Sequence, residues 1–305
     1  MHPSIMPMLD AIGLRTHYRP LITRAELCDI LPDYAGLVIR SKTNIDEQLL
    51  QNAPQLRFIA RAGAGLDLVN VPAVTNRGIK LFQASAGNCD TVAEHAMAML
   101  LALLTNLIPA DRQVRGKIWN REANRGFELM NSTVGIIGYG HNGRATAKRL
   151  SGFGCRVLCY DKYRDDYSDD NATAADLSDI MAQADVISLH VPLNADTLSM
   201  INDGFINATT KPFYLLNCAR GEIVCLDALV RGLQSGKIRG AGLDVLENEK
   251  LQTLTPTQSA AFEFLSTSDR VVLTPHVAGW SHESYQRINQ VLVAQIQHAT
   301  FDIEY

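Results

Sequence analysis

Three side chains of complementary chemistry stand in the second half of the chain, each just past a short apolar run. Arg220 follows Leu215-Leu216-Asn217-Cys218-Ala219, Glu249 follows Gly242-Leu243-Asp244-Val245-Leu246, and His276 sits in Thr274-Pro275-His276-Val277-Ala278-Gly279. An imidazole can take up or return a hydroxyl proton, and a carboxylate beside it can orient the ring and balance its charge. A guanidinium can hold an acid group through paired N–H donors. Those are the requirements of hydride exchange between an alcohol and a nicotinamide. Each residue taken alone is also an ordinary loop side chain, and Glu249 shares its run with Glu247, so the weight rests on finding one of each kind.

A place for the hydride carrier stands upstream. Val134-Gly135-Ile136-Ile137 reads as a strand that runs into Gly138-Tyr139-Gly140-His141-Asn142-Gly143 and then into helix-forming residues 144–150. In this G-x-G-x-x-G, Gly138 permits the tight turn, Gly140 lets a pyrophosphate approach the backbone and Gly143 lets helix and strand pack closely. The first N–H groups of the helix, at His141 and Asn142, remain for phosphate. The next strand ends at Asp161, about 20 residues on, where a carboxylate bonds the ribose hydroxyls and repels a 2′-phosphate. NAD is favoured over NADP, and Lys162 and Arg164 soften that preference.

The elements that must position these groups form an alternating series. Short β-rich runs at residues 37–40, 56–61 and 80–83 are separated by helix-length stretches such as residues 45–52. A second series follows at 134–138, 156–160, 186–191, 214–217, 241–245 and 271–274. Such alternation predicts an α/β protein with parallel sheets covered by helices on both faces, the second sheet having six strands. Ligands of these sheets bind past the carboxyl ends of the strands, where Arg220, Glu249 and His276 stand. Residues 89–107 read as one long helix between the two series, and residues 281–300 as a last helix.

Composition bounds the partners. The 305 residues suit two domains, and 47% hydrophobic with 20% charged residues is ordinary for a globular chain. A net charge of -4 and no basic block leave no field for nucleic acid or an anionic membrane surface. Cys28, Cys89, Cys155, Cys159, Cys218 and Cys225 are scattered, with no C-x-x-C pair and no zinc spacing, so no metal is expected and they read as reduced thiols of a cytoplasmic protein. The longest uncharged run, residues 96–110, is shorter than the ~20 apolar residues of a membrane span. His2, Pro3, Pro7 and Asp10 leave no room for an export signal.

Taken together, the motifs resemble the D-isomer-specific 2-hydroxyacid dehydrogenase family from residue 36 to the last helix. The matching pieces are Arg61-Ala62-Gly63-Ala64-Gly65-Leu66-Asp67, Val92-Ala93-Glu94-His95, the glycine strand, Asn217-Cys218-Ala219-Arg220-Gly221 and Thr274-Pro275-His276. The resemblance implies that Arg220 binds the substrate carboxylate and carbonyl oxygen, that Glu249, five residues after Asp244, is the acid, and that His276 is the acid/base. Lys250 stands where the family usually has a proline. Also implied are a flavodoxin-like substrate domain of residues 1–86 plus 280–305 and a Rossmann NAD-binding domain of residues 87–279, both doubly wound, with hinge crossings near Gly87 and at 276–279. NAD is then expected on Gly138, Gly140, His141, Asn142, Gly143, Asp161, Pro192, Cys218, Ala219, Asp244 and Gly279, with Asp244 facing the nicotinamide amide. Backbone N–H groups around Gly63, Ala64 and Gly65 are expected to cradle the carboxylate.

Within the family, Arg40 with Ser41, and Arg61, match positions around the phosphorylated substrate of the branch that oxidises D-3-phosphoglycerate for serine synthesis. Arg121, in Gly116-Lys117-Ile118-Trp119-Asn120-Arg121, resembles a third cation. A phosphate dianion calls for several cations, although Arg40 and Arg61 also read as surface strand-end charges. A glyoxylate or hydroxypyruvate reductase shares the catalytic set, a formate dehydrogenase lacks the acid, and a non-catalytic NAD-sensing adaptor uses the same fold. The expected partners are a small anionic 2-hydroxy or 2-oxo acid and a second copy docked through the NAD-binding domain. The apolar stretch 96–107 suggests the latter and equally suits a buried core helix. No feedback domain is expected after residue 305. Because the family usually opens on a strand and this chain opens on Met1-His2-Pro3-Ser4-Ile5, the substrate-domain sheet is expected to lack its first strand.

Overall fold

The apolar runs pair as parallel strands in two separate sheets. The computed structural model describes residues 1–165 and 167–300, so the last five residues of the expected substrate domain lie outside it. The chain divides into one unit of Met1–Cys89 with the segment from Trp280 onward and a second unit of Asp90–Gly279.

In the first unit, β1 (Gly36–Ile39), β2 (Phe58–Arg61) and β3 (Lys80–Gln83) lie in the order β1-β2-β3. Central β2 is buried on both faces, which is why its sequence is apolar without alternation. Ile59 packs with Ile45, Leu49 and Val74, while Phe58 and Ala60 pack with Ile5, Leu9, Leu292 and Ile296. The last two belong to the helix His282–Thr300, which closes that face.

The second unit holds β4 (Thr133–Ile137), β5 (Arg156–Tyr160), β6 (Thr173–Ala174), β7 (Val186–Leu189), β8 (Phe213–Asn217), β9 (Ile238–Leu243) and β10 (Val271–Leu273). Their order is β10-β9-β8-β7-β4-β5-β6, all parallel. This corrects the expected six strands to seven. The additional strand, β6, is a two-residue edge piece too short to leave a period in the sequence. Strand order reverses on either side of β4, so the crevice of this sheet opens at the end of the strand that carries the glycine turn.

Helix Cys89–Leu104 packs its apolar side on that sheet, with Met97, Met99, Leu100 and Leu103 buried against Val134, Ile136 and Val186. Its apolar composition is therefore consumed by the core of its own unit. The single helix expected over 89–107 breaks at Asn106, whose left-handed φ of 52° turns the chain into a separate helix, Leu107–Arg115, bent by 63°. No single helix among the described residues is long and apolar enough to cross a membrane.

Asp185, one residue before β7, ties two strand starts together. Its Oδ2 accepts the Thr133 N–H at 2.8 Å and its Oδ1 pairs with Lys211 at 2.7 Å. Burial alone would raise this carboxyl, but Lys211 and the Thr133 amide outweigh it and hold it below the usual range. A carboxyl so depressed stabilises the fold above its unfolded value and loses that contribution as pH falls through the folded one. Asp185→Asn is expected to cost about 1–2 kcal/mol at pH 7 and to flatten the loss of stability below about pH 4. Thermal melts of both proteins at pH 7 and pH 3.5 check this, and parallel curves would refute it.

Candidate active site

Strands β8, β9 and β10 are neighbours and parallel, so the segments that leave them emerge at one edge of the sheet. Arg220 follows β8, Glu249 follows β9 and His276 follows β10. The first turn is tied by fully buried Asn217, which accepts the Ala219 N–H on Oδ1 at 3.0 Å and donates from Nδ2 to the Arg220 carbonyl at 2.9 Å. Arg220 Nη1 donates to the Ala219 carbonyl at 2.6 Å. Gly221 then passes so close to the segment after β9 that a Cβ there would lie 1.9 Å from the Leu246 carbonyl carbon. The turn bearing Arg220 and the approach to Glu249 thus touch backbone to backbone, which only glycine allows.

The two glutamates after β9 are separated by their partners. Glu247 Oε1 accepts the Gln258 side-chain N–H at 3.2 Å, at the start of the helix Pro256–Thr267. Glu249 lies 2.8 and 3.0 Å from His276 Nδ1 through its two oxygens. A carboxylate can only accept, so Nδ1 carries the proton and Nε2 of the neutral ring has its lone pair available. Lys250, in the place of the family's proline, donates its N–H to Asn248 Oδ1 at 3.0 Å, which turns the chain by a hydrogen bond where a ring would have turned it.

His276 adopts a left-handed φ of 56°, a conformation costing a non-glycine residue about 1–2 kcal/mol. Asp244 holds it there. The Asp244 carbonyl accepts the His276 N–H at 2.8 Å, Oδ1 accepts the Val277 N–H at 2.8 Å and the Thr274 hydroxyl at 2.6 Å, and Oδ2 accepts the Ala278 N–H at 2.8 Å. The expectation placed Asp244 on the nicotinamide amide. In the structure its carboxylate is turned to the loop that carries the histidine, because a carboxylate only 1% exposed must find donors inside the protein.

At the end of β4 the glycine turn has the shape a dinucleotide requires. Gly138, at φ 97°, has no room for a side chain, since a Cβ would lie 2.6 Å from the His190 carbonyl. A Cβ on Gly143 would lie 2.1 Å from the Gly138 oxygen, whereas the space beside Gly140 is open. Among the described residues no side chain caps the start of the helix His141–Leu150, and Asn142 Oδ1 is buried without a partner. Asp161 reaches the same turn, accepting the Tyr139 N–H on Oδ2 at 2.9 Å, with Arg164 Nε 3.9 Å away. Open glycine, uncapped helix and poised carboxylate fit NAD. Of the other expected contacts, Pro192 follows β7 with its carbonyl taken by the Thr197 hydroxyl at 2.6 Å, Ala219 is buried, and Gly279 ends the second unit. Burial, with the Asp244 charge, pushes the Cys218 thiol pKa up.

The remaining expected substrate residues belong to the first unit, apart from Arg121, which lies exposed in the second. Ile39 is paired with Arg61, so Arg40 and Arg61 stand at the ends of adjacent strands, with exposed Ser41 next to Arg40. Arg61 folds back over Gly63 to donate to the Ala62 carbonyl at 3.1 Å. The backbone N–H groups of Ala64 and Gly65 make no hydrogen bond among the described residues. Arg40 Nη1 donates to the Tyr285 hydroxyl at 2.5 Å, and its guanidinium carbon lies 4.1 and 4.5 Å from the Trp280 and Tyr285 ring centroids. Sequence reasoning gave no role to Trp280, Tyr285 or His95. The legible signal for His95 was a basic residue set in an otherwise apolar helix, here 2.9 Å from Thr274 Oγ1.

Residues 97–278 match the family model described as D-isomer specific 2-hydroxyacid dehydrogenase, NAD binding domain. The chain is 34% identical over 286 residues to a D-3-phosphoglycerate dehydrogenase of Archaeoglobus fulgidus, covering 93% of this chain and 53% of that protein. It is 34% identical to a hydroxypyruvate reductase of Thermotoga maritima, covering 90% and 88%. It thus spans about half the length of the D-3-phosphoglycerate dehydrogenases it matches. Among solved structures, the D-lactate dehydrogenase of Aquifex aeolicus complexed with NAD and lactic acid matches 99% of this chain and 93% of its own at a TM-score of 0.83 and 27% identity.

Gly138→Ala combines backbone strain with a collision against the end of β7 and is expected to weaken NADH binding at least tenfold, corresponding to about 1.4 kcal/mol. Fluorescence titration of NADH checks this, and unchanged affinity would show that the turn is not the phosphate site.

Proposed function

Because the chain belongs to the D-isomer specific 2-hydroxyacid dehydrogenase family and carries its NAD-binding domain, we propose that it interconverts a small D-2-hydroxy acid and the matching 2-oxo acid. The observation that carries this reading is the Glu249–His276 pair, on the segments after the two strands next in order to the one that leads to Arg220. When bound, the cofactor would supply the hydride acceptor in oxidation as NAD and the hydride donor in reduction as NADH. In oxidation, Nε2 of neutral His276 takes the C2 hydroxyl proton while Glu249 holds Nδ1–H and stabilises the imidazolium that forms. Arg220 binds the carboxylate and the negative charge that gathers on the C2 oxygen. In reduction His276 starts protonated and returns the proton from Nε2, so reduction favours lower pH than oxidation.

D-3-Phosphoglycerate is the substrate we favour. Arg40 and Arg61, at adjacent strand ends in the first unit, supply cations that an acid with a second anionic group would engage. Hydroxypyruvate or glyoxylate reduction is the second reading, supported by the match along 88% of the Thermotoga maritima hydroxypyruvate reductase. Rates with 3-phosphohydroxypyruvate, hydroxypyruvate and glyoxylate, each with NADH and NADPH, decide between them. Tight NADH binding without turnover of any of the three would instead support a sensing adaptor. His276→Gln is expected to lower kcat by at least about 100-fold, the scale of a lost acid/base group. A loss under threefold would sink the proposed mechanism.

A second copy is the macromolecular partner we propose for the NAD-binding unit. Leu107, Ile118, Trp119, Phe127 and Met130 are all exposed within one stretch of chain, Trp119 at 81%. Large apolar side chains left exposed along one stretch of chain support such an interaction surface. Sedimentation is expected to give a dimer that Trp119→Glu with Phe127→Glu converts to monomer, and a monomeric parent protein would refute it.

A further inference from the structure

Helix Cys89–Leu104 and the loop after β10 are far apart in the chain, yet one polar chain joins them. His95 Nε2 lies 2.9 Å from Thr274 Oγ1 and 3.6 Å from Asp244 Oδ1. Thr274 Oγ1 is in turn 2.6 Å from the same carboxylate oxygen, which also accepts the Val277 N–H. A hydroxyl has one proton, and next to a carboxylate that can only accept, that proton points at Asp244. Toward His95 the hydroxyl therefore offers a lone pair, and the contact is a hydrogen bond only if Nε2 carries a proton. Among the described residues Asp244 has no lysine or arginine in ion-pair range, so His95 is the basic side chain beside this buried carboxylate.

We infer that His95 is a positioning residue for His276, its Nε2–H acting through Thr274 and Asp244 to hold the left-handed turn that aims the catalytic ring. This rests on the proposed role of His276 as acid/base. The covalent route from Thr274 to His276 is two residues, and Asp244 already binds the Thr274 side chain together with the His276, Val277 and Ala278 amides. Removing the Nε2–H donor leaves the Thr274 hydroxyl with an unused acceptor and lets it rotate away from Asp244, so the turn loses one of the bonds that fix it. The polar contacts of His95 run to Thr274 and Asp244, behind the turn that carries His276, so its loss is expected in the proton-transfer step and not in binding.

His95→Phe is expected to lower kcat at least tenfold while KM for the 2-oxo acid and Kd for NADH stay within twofold. His95→Gln, whose amide N–H can stand in for Nε2–H, is expected to recover kcat to within threefold of the parent. Thr274→Val should match the loss of His95→Phe, and the double variant should be no worse than either, because the two residues act through one bond. A kcat within twofold for His95→Phe, a glutamine variant as impaired as the phenylalanine one, or losses that multiply would each overturn the inference. If His95→Phe melts before assay temperature, the His95→Gln and Thr274→Val pair decides. Nitrogen-15 spectra of the whole protein give a reading independent of turnover, with the Nε2–H tautomer expected for His95 and the Nδ1–H tautomer overturning the network. A protein that shows Nε2–H but reduces no 2-oxo acid would sink the reaction and with it the role, leaving the hydrogen bond intact.

Discussion

The site depends on a carboxylate that cannot reach water. Asp244 is buried at the end of β9, and its carboxylate receives the Thr274 hydroxyl and the backbone amides of residues 277 and 278. Satisfying that carboxylate obliges the chain leaving β10 to fold back on β9, and the fold-back forces His276 into a conformation that side chains avoid. The imidazole then lies against Glu249 because the segment that carries Glu249 leaves the neighbouring strand at the same edge. The hydrogen bonds that Asp244 receives offset both the strain at His276 and the burial of the charge behind it, and the parallel sheet holds both ends of that balance.

Much of this was legible in the sequence where a requirement is local to the backbone. Gly138 and Gly143 are needed by their own neighbours and Gly140 leaves the space beside it open, so strand, turn and helix could be read in order. The family resemblance selected Glu249 over Glu247, and in the structure Glu249 meets His276 while Glu247 bonds Gln258. The break at Asn106 left little trace, since a single left-handed asparagine ends a helix without a glycine or proline at the break. The pairing of His95 with Thr274, 179 residues apart, belongs to tertiary packing and has no period or spacing to announce it.

The arginines show the same limit from another side. Arg40 and Arg61 were recognisable as cations at strand ends, but their surroundings were not. Arg40 is set against Trp280 and Tyr285, whose centroids lie only 5.5 Å apart, so the two rings flank it on adjoining sides. Arg61 is drawn back over a glycine that has no Cβ to resist it. One cation is braced by aromatic faces and the other by its own main chain, a difference carried by residues from the far end of the sequence.

Asp161 performs two tasks with one functional group. One oxygen receives the amide of Tyr139, inside the glycine turn, and the other receives the amide of Tyr163. The carboxylate expected from sequence to select among nucleotides would therefore also shape the turn beneath them. Any redesign that exchanges it for a neutral side chain to admit a 2′-phosphate must first rebuild that turn, so coenzyme preference in this chain would not vary as an independent trait.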